Sequence, residues 1–494
     1  MSKSRLFDKL PFEKNLKVRR TTIIIVTLLS FMVGLWIARY DLNISFRILL
    51  LPIILLPLSF SRRKWAVLIV AIASVSLGLI RGQIFWQDFN RYNNFVGEQV
   101  SAVGVVTTDS SYSDNGQTDF YISKLKINGK KLPGKMRISG FTSPYGVKRG
   151  DQVRVSGKLR DGFGSYQASV SFGSIKVISR QDDLLTSMRA RFFAGVYTAL
   201  PEPQSSLGLG FLVGLRALLP EDLLTQLSRT GLTHIVAVSG YNLTVLVRFA
   251  RRNFMWISKF SATAISLGLM FFFLAITGLA PSIFRASIVS GLALAAWYYG
   301  RPIRPMMLLS VSGAVTAGLN PFFIWFDIGW WLSFTAFFGV LVLAPTFTQR
   351  VFKKDGAELP MPVQIAIETT SAQIMALPII MAIFGELSVI SIVANMLIIP
   401  FIPIAMAFTF IAGTSGAIIP GLAGFMALPA KVMLVGMTTV IGLLAAIPWA
   451  LIEVEVGWST VIAWYLALLI IYLLIRKNLS ESQKTELTLV NHLD

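Results

Sequence analysis

Long runs of uncharged apolar residues constrain this chain more than any other feature of its sequence. Thr21–Ala38 reads TTIIIVTLLSFMVGLWIA without a charge, and similar runs recur along the 494 residues. A helix needs about 20 consecutive apolar residues to cross the hydrocarbon core of a bilayer. Only 14% of the residues are charged, which is roughly half the share in a soluble globular chain. The runs predict an α-helical multi-pass membrane protein and exclude a soluble enzyme, a disordered chain and a collagen-like fibre.

The basic residues between the apolar runs predict how the chain is threaded through the membrane. Lys and Arg cluster in residues 1–20 and then after every second run, which is the distribution expected of cytoplasmic segments. We therefore expect about 12 spans, with both termini in the cytoplasm. The predicted spans are 21–38, 45–60, 65–85, 231–247, 256–279, 282–299, 305–319, 322–345, 361–384, 388–411, 428–448 and 457–475. A further apolar stretch, 205–219, is interpreted as re-entrant or interfacial.

Segment 87–181 contains no run of spanning length and has the periodicity of β-strands. Alternating apolar residues mark five strands, and turn residues such as Asn115–Gly116 separate them. Five short strands favour a small extracytoplasmic β-barrel domain of OB type, although a generic five-stranded barrel or sandwich has the same pattern. The following stretch, 182–204, is interpreted as an amphipathic helix on the outer membrane surface or as a linker helix packed against the barrel.

The predicted external domain is basic, which the positive-inside rule does not require. Residues 87–180 contain 14 Lys and Arg but only seven Asp and Glu, with aromatic residues among them. Such a surface suits a groove that neutralises phosphates and stacks bases, and it suits anionic lipid headgroups equally well. The basic residues that are candidates for binding either kind of anion are Lys124, Lys126, Lys130, Lys131, Lys135, Arg137, Lys148, Arg149, Arg154 and Lys158.

One predicted span carries a polar stripe. Thr230–Val247 reads TGLTHIVAVSGYNLTVLV, so that His234, Ser239, Gly240 and Asn242 lie in an otherwise apolar helix. Ser239 and Asn242 are three residues apart and share a face. The stripe is consistent with a wetted cavity or pore wall. Hydrogen bonding between packed helices is the competing interpretation, and it is common for Ser, Thr and Asn in bundles.

Other polar residues within the predicted spans have no assigned role. They are Arg285, Asp327, Glu368 and Asn395, and each is costly to insert into a bilayer. An Arg285–Asp327 pair that braces the outer rim accounts for two of them without any pore.

Catalysis and cofactor binding find little support in the sequence. The chain has no Cys and only two His, so a Cys-ligated metal or a His-cluster metal site is excluded. Ser239 lies in AVSGY rather than in G-x-S-x-G, which leaves a membrane serine hydrolase as a minor alternative. No nucleotide-binding motif is present. We therefore expect no cofactor, no metal and no enzymatic activity.

A series of motifs resembles the ComEC-type competence proteins, bacterial membrane channels that import DNA during natural transformation. The residues that carry the resemblance are, in order, Gly208–Val247, Pro281–Gly291 (PSIFRASIVSG), Phe326–Gly339 (FDIGWWLSFTAFFG), Glu368–Pro378 with Gly385, and Ala394–Pro400 (ANMLIIP). The order makes the series specific, whereas each motif alone is weak. The basic external domain after three spans also looks like that family's OB-like module.

The resemblance implies that single-stranded DNA passes through the helical domain into the cytoplasm of a bacterium. The external domain would collect the strand, with the ten basic residues named above as its DNA-binding residues. Arg216 and Arg229 would lie at the mouth, and His234, Ser239, Gly240 and Asn242 would line the constriction. A DNA receptor outside, an ATP-driven translocase in the cytoplasm and a nuclease would be separate proteins. A transporter or flippase for another anionic or lipid-linked polymer is the rival hypothesis.

Two departures from the family pattern are visible. Asn242 stands where the family usually has His. The C-terminal metallo-β-lactamase-like domain of many relatives is also not expected here, because its His cluster is missing. The predicted organisation is a basic tail (1–20), three transmembrane helices (21–86), the external domain (87–181), the interfacial helix (182–204), the channel domain (205–475) and a cytoplasmic tail (476–494).

Overall fold

The chain forms two compact units in the computed structural model. The first comprises residues up to 91 together with 306–326, and the second comprises 92–305 and 327 onwards. The structure describes residues 20–490 except 41, 43, 55–63, 109, 113–116, 142–145, 163–165, 181–183, 215, 237–239, 278–280, 303 and 353–358.

Helices make up most of the described residues, as the apolar runs predict. In chain order they are α1 Arg20–Ile37, α2 Phe46–Ile54, α3 Lys64–Asn93, α4 Leu184–Ala199, α5 Gln204–Val213, α6 Glu221–Arg229, α7 Thr233–Val236, α8 Gly240–Phe254, α9 Lys259–Thr277, α10 Pro281–Tyr298, α11 Pro305–Leu319, α12 Phe322–Phe326, α13 Ile328–Phe338, α14 Ala344–Phe352, α15 Met361–Phe384, α16 Ser391–Ile398, α17 Ile402–Ile418, α18 Ala423–Met426, α19 Leu428–Ala445 and α20 Trp458–Val490. A π-helical turn, Gly339–Leu343, joins α13 to α14.

Eight helical stretches of the described chain are long and apolar enough to cross a membrane. They are Arg20–Tyr40, Ala66–Asn93, Lys259–Thr277, Ile328–Phe352, Pro362–Phe384, Ser391–Ile418, Leu428–Ala445 and Trp458–Ile475. Three apolar helices are shorter, namely Gln204–Val213, Ser282–Tyr298 and Pro305–Leu319. The prediction of a multi-pass helical membrane protein is confirmed, and the count of about 12 spans stays a prediction.

Two predicted spans differ from the described helices. Segment 231–247 contains α7 and α8, which lie on either side of 237–239, and α8 continues to Phe254. Segment 322–345 is not one continuous helix, since α12 ends and α13 begins on either side of Asp327. The reason is Asp327, whose backbone is extended and whose carboxylate accepts a hydrogen bond from the Trp330 amide at 2.9 Å. An Asp at this position satisfies an N–H group that a helix start leaves without a partner.

Close helix packing within the first unit depends on two glycines. A Cβ on Gly34 of α1 would overlap the carbonyl oxygen of Val75, and a Cβ on Gly78 of α3 would overlap that of Phe31. Small residues allow membrane helices to approach closely, and van der Waals contact then holds them together.

The described part of segment 92–180 forms a closed β-barrel, as predicted. Its five long strands follow the order β1-β5-β6-β4-β3, and β3 pairs with β1 to close the barrel. The pair β4–β6 is parallel. Ile122, Met136 and Val155 are among the apolar side chains buried inside. The strands are β1 Gln99–Val106, β2 Ser111–Tyr112, β3 Thr118–Ile127, β4 Lys130–Phe141, β5 Gln152–Asp161 and β6 Ala168–Ser179, while β7 Glu386–Ser388 and β8 Leu451–Glu453 form a separate pair. The OB type stays a prediction.

The helix predicted over 182–204 is α4, and it packs along α17. Gly195 of α4 lies where a Cβ would overlap the carbonyl oxygen of Gly413, and a Cβ on Gly416 would overlap that of Gly195. The rings of Phe192 and Phe410 lie next to this crossing, with centroids 5.8 Å apart. This packing joins α4 to the buried apolar core formed with α5, α17 and α19. A position on the membrane surface stays a prediction.

Candidate nucleic-acid interface

The register of the barrel strands places four basic side chains in one row across the outer face. Lys131 of β4 is opposite Lys126 of β3, and Lys126 is opposite Val103 of β1. Val103 is in turn opposite Arg154 of β5, which is opposite Lys176 of β6. All four basic side chains are exposed. We call these four residues the basic row. Because neighbouring strands lie about 4.8 Å apart, the row forms a positive track that runs across the strands.

The basic row contains two like-charged cross-strand pairs, Lys126 with Lys131 and Arg154 with Lys176. Like charges directly opposite each other destabilise a sheet. A bound polyanion would remove this repulsion, so the arrangement favours an anionic ligand. Lys176 was missed by the sequence analysis because the only feature that singles it out is its register beside Arg154.

The other predicted barrel residues lie away from the row. Lys124 and Lys130 are exposed near the turn between β3 and β4, and Lys148 is exposed in the loop before β5. Lys158 is also exposed and pairs with Gln99. These four residues are exposed but are not members of the basic row.

Lys135 and Arg149 connect the barrel to the helices. The Nη1 of Arg149 donates a hydrogen bond to the carbonyl oxygen of Ile276 at 3.1 Å. Ile276 lies in the last turn of α9, where carbonyl groups lack helical partners and attract cations. Burial lowers the pKa of Lys135, while interaction with the carboxylate of Asp327 opposes this shift.

Arg285 and Asp327 lie at the same junction, and both are buried. The Nη2 of Arg285 donates to the carbonyl oxygen of Gly329 at 3.1 Å, and the side chain of Arg285 is 4% exposed. Asp327 interacts electrostatically with both Arg285 and Lys135. We call Lys135, Arg149, Arg285 and Asp327 the junction cluster. It combines three cations with one carboxylate, which leaves an excess of positive charge between the barrel and the helices.

Asn242, predicted to line the constriction, is completely buried. Its Nδ2 donates a hydrogen bond to the carbonyl oxygen of Phe211 at 2.7 Å. Phe211 lies in the last turn of α5, which ends at Gly214 in a left-handed conformation. A carbonyl in this position has no partner within its own helix. Asn242 thus makes the helix–helix hydrogen bond that was the competing interpretation of the polar stripe.

Replacing Asn242 by Leu is expected to lower the free energy of unfolding by about 1–3 kcal/mol, because the buried Phe211 carbonyl would lose its donor. Thermal unfolding of the purified protein in detergent measures the effect. Asn253→Leu is the matched control, since Asn253 lies on the same helix but is exposed. Equal effects of the two substitutions would show that the Asn242 bond does not stabilise the fold.

The remaining predicted path residues occupy varied environments. His234 is exposed, and its Nδ1 lies 2.9 Å from the carbonyl oxygen of Gly231. Arg216 is exposed on a 3₁₀ turn. Ser239 lies outside the described residues, and Gly240 is the first residue of α8.

Two further polar residues are held by side-chain hydrogen bonds, and a third is buried. The Nη2 of Arg229 donates to the carbonyl oxygen of Ile447 at 3.1 Å. Glu368 accepts a hydrogen bond from Nε2 of Gln364 at 2.8 Å, within α15. Asn395 is buried in α16. Each of these environments is compatible with a structural role.

Comparison with known proteins identifies related sequences. The profile of the family described as Competence protein matches residues 211–479, which is more than half of the chain and excludes the barrel. ComE operon protein 3 of Bacillus subtilis (strain 168) is 29% identical over 217 residues, which make up 44% of this chain and 27% of that protein. The match therefore spans about a quarter of the relative's length. No solved structure gave a significant match.

Proposed function

The chain belongs to the Competence protein family, and from this membership we propose that it acts in DNA uptake by carrying single-stranded DNA across the bacterial cytoplasmic membrane. It would act as a channel and not as an enzyme. The barrel would collect the strand outside, and the helical domain would form the passage. The basic row is the observation that carries the proposal for the barrel.

Physical chemistry requires a special route for this substrate. Each nucleotide carries a phosphate charge, and moving an isolated charge into an apolar medium costs tens of kcal/mol. The route therefore has to be hydrated and lined by donors. A chain with several apolar helices and a basic barrel provides both the barrier-crossing element and the anion-binding element.

The basic row suits binding that is independent of base sequence. Lys and Arg contacts to phosphates position a nucleic acid but carry no base information. Such binding weakens as salt increases, since it depends on the release of counterions. Lys124, Lys130, Lys148 and Lys158 would add contacts on either side of the row.

The junction cluster would receive the strand between the barrel and the helices. Its excess of positive charge supports this role, and β2 lies close to the turn that carries Arg216. Arg229, His234, Ser239, Gly240 and Asn242 would follow along the passage. The hydrogen bond between Asn242 and Phe211 would have to open if Asn242 contacts the strand.

Three partners complete the proposal. A separate receptor would deliver DNA to the barrel, a cytoplasmic ATP-driven translocase would pull the strand, and a separate nuclease would degrade the complementary strand. These assignments follow from the resemblance to DNA-importing channels.

The experiment that tests the proposal is the uptake of labelled DNA into the cytoplasm of a strain that lacks the gene, with and without complementation. Loss of uptake on deletion and recovery on complementation support the channel. Normal uptake in the deletion strain, together with altered surface glycans, would indicate a flippase for a lipid-linked polymer.

Replacing Lys131 by Thr is expected to stabilise the barrel and weaken DNA binding at the same time. Removing one member of the Lys126–Lys131 pair relieves a repulsion of about 0.2–1 kcal/mol. Losing one phosphate contact reduces the slope of log affinity against log salt by about 0.7 for a single strand. Thermal unfolding and salt-dependent binding of the full-length protein measure the two effects. If Lys131→Thr raised both the stability and the DNA affinity, or lowered both, the interpretation of the basic row as an anion-binding surface would be contradicted.

A further inference from the structure

A polar recess lies on the outer face of the barrel between β4 and β6. Arg137 of β4 pairs with Ser169 of β6 at this point, and β6 continues from the recess to Lys176 of the basic row. The cavity has a volume of about 160 Å³, and its lining includes Gln117, Arg137, Ser139, Tyr166, Ser169 and Phe172. The recess is comparable in size to a single nucleobase.

Phe172 is held in the recess by a β-bulge. Ser139 pairs with Ser171 and Gly140 pairs with Gly173, so Phe172 has no partner on β4. Its φ is +57°, which is unusual and unfavourable for a bulky residue. The side chain is 68% exposed. Bulges that redirect a side chain are frequent beside functional sites, and this one keeps an aromatic ring out of the apolar core.

Arg137 supplies a fixed cation beside the ring. Its Nη2 lies 3.3 Å from Oδ2 of Asp119, and it is also hydrogen-bonded to Tyr166. Tyr166 packs against Tyr121, with ring centroids 5.7 Å apart. The planar guanidinium has five N–H donors, so N–H groups remain available to a phosphate after the interactions with Asp119 and Tyr166 are made.

A second set of polar groups in the lining is ordered by hydrogen bonds within the barrel. The Oγ of Ser139 donates to Oε1 of Gln117 at 2.8 Å, which orients the Gln117 amide. The Oγ of Ser169 donates to the carbonyl oxygen of Asp161 at 3.2 Å. Hydroxyl and amide groups of this kind can bond the edge of a base or a sugar.

We infer that the recess binds one nucleotide of single-stranded DNA, with its base stacked on Phe172 and its phosphate bonded to Arg137. This inference rests on the proposed function and adds to it a discrimination between single and double strands. Stacking on a protein ring requires a base that is not already stacked in a duplex. Phosphate contacts at the basic row alone do not make that distinction.

Insertion of Phe172 into the lipid headgroup region is a different use of the same exposed ring. The lining of the recess favours the nucleotide, because Arg137 provides N–H donors and Gln117 provides an oriented amide within a concave site. A lipid anchor needs only an apolar projection on a flat face. The experiment below separates the two.

The test is binding of fluorescent oligothymidylate and of a duplex of equal length to the full-length protein in lipid nanodiscs. Phe172→Ala is expected to reduce affinity for the single strand about tenfold, equivalent to about 1.4 kcal/mol, and to leave duplex affinity unchanged. Phe172→Trp is expected to retain wild-type affinity. Ile178→Ala is the matched control, since Ile178 is exposed on the same strand outside the recess.

Photocrosslinking gives an independent readout that does not depend on a variant. An oligonucleotide containing 5-iodouracil is expected to crosslink to the peptide that carries Phe172, as mass spectrometry would show. The recess assignment would be overturned if Phe172→Ala lowered the affinities for single strand and duplex equally. It would also be overturned if Phe172→Ala caused no loss of affinity and no crosslink formed. The channel proposal would stand in both cases. Failure of the wild-type protein to bind any DNA would instead remove the proposed function on which the inference rests.

Discussion

Reversing three charges of the basic row, with Lys126→Glu, Lys131→Glu and Arg154→Glu, is expected to reduce the affinity for single-stranded DNA by about a hundredfold or more at low salt. DNA import is expected to stop. The substitutions remove three phosphate contacts and place repulsive charges in the track. The slope of log affinity against log salt should fall by about 2, since each single-strand contact contributes about 0.7. Titrations of the full-length protein over a range of salt concentrations measure both quantities.

Folding is not expected to limit this experiment. The Lys126–Lys131 pair becomes an equally repulsive Glu–Glu pair, and the pair of residue 154 with Lys176 becomes attractive. The matched control combines Lys126→Arg, Lys131→Arg and Arg154→Lys, which keep the positive charges. It should bind single-stranded DNA like the wild type. If the reversed variant also binds and imports DNA normally, the basic row is not the collecting surface.

Replacing Asp327 by Ala is expected to be the most destabilising single change at the junction cluster. The substitution removes the carboxylate that interacts with buried Arg285 and with Lys135, and also the cap on the Trp330 amide. Losing an Asp cap costs about 1 kcal/mol, and the loss of the electrostatic interactions with Arg285 and Lys135 adds to this cost. Thermal unfolding in detergent, followed by the yield of monodisperse protein, measures the loss.

A double variant distinguishes the charge from the cap. Asp327→Asn retains an oxygen that can accept the Trp330 hydrogen bond but removes the charge. Combining it with Arg285→Met removes the buried cation as well, so the double variant should be more stable than Asp327→Asn alone. Strictly additive losses would contradict electrostatic coupling between the two residues.

Much of the fold follows from local patterns in the sequence. The uncharged run 21–38 corresponds closely to α1, and the alternation in 120–127 lies within β3. Both signals are local, because a residue's preference for helix or strand and for burial depends on its near neighbours. The break at Asp327 is local as well, yet it was hidden between two apolar runs that together resemble one span.

The candidate site could be predicted only in part. The sequence identified a basic barrel domain and most members of the basic row, since charge is a property of composition. It could not select Lys126, Lys131 and Arg154 from the ten candidates, nor add Lys176. The bulge at Phe172 was equally hard to predict. Under strict alternation Phe172 would share a strand face with Val170 but not with Ile175, although Val170 and Ile175 are both buried. That conflict is the one local sign of a bulge.

The sequence by itself determined that this chain has many apolar helices, a small basic barrel and the ordered motifs of its family. These properties depend on residue type and short-range spacing. Only the tertiary structure decided which basic side chains share a row, that Asn242 bonds Phe211, and that Lys135 of the barrel interacts electrostatically with Asp327 of the helices. Such pairings join residues far apart in the chain, and they depend on strand register and helix packing, which no short stretch of sequence specifies.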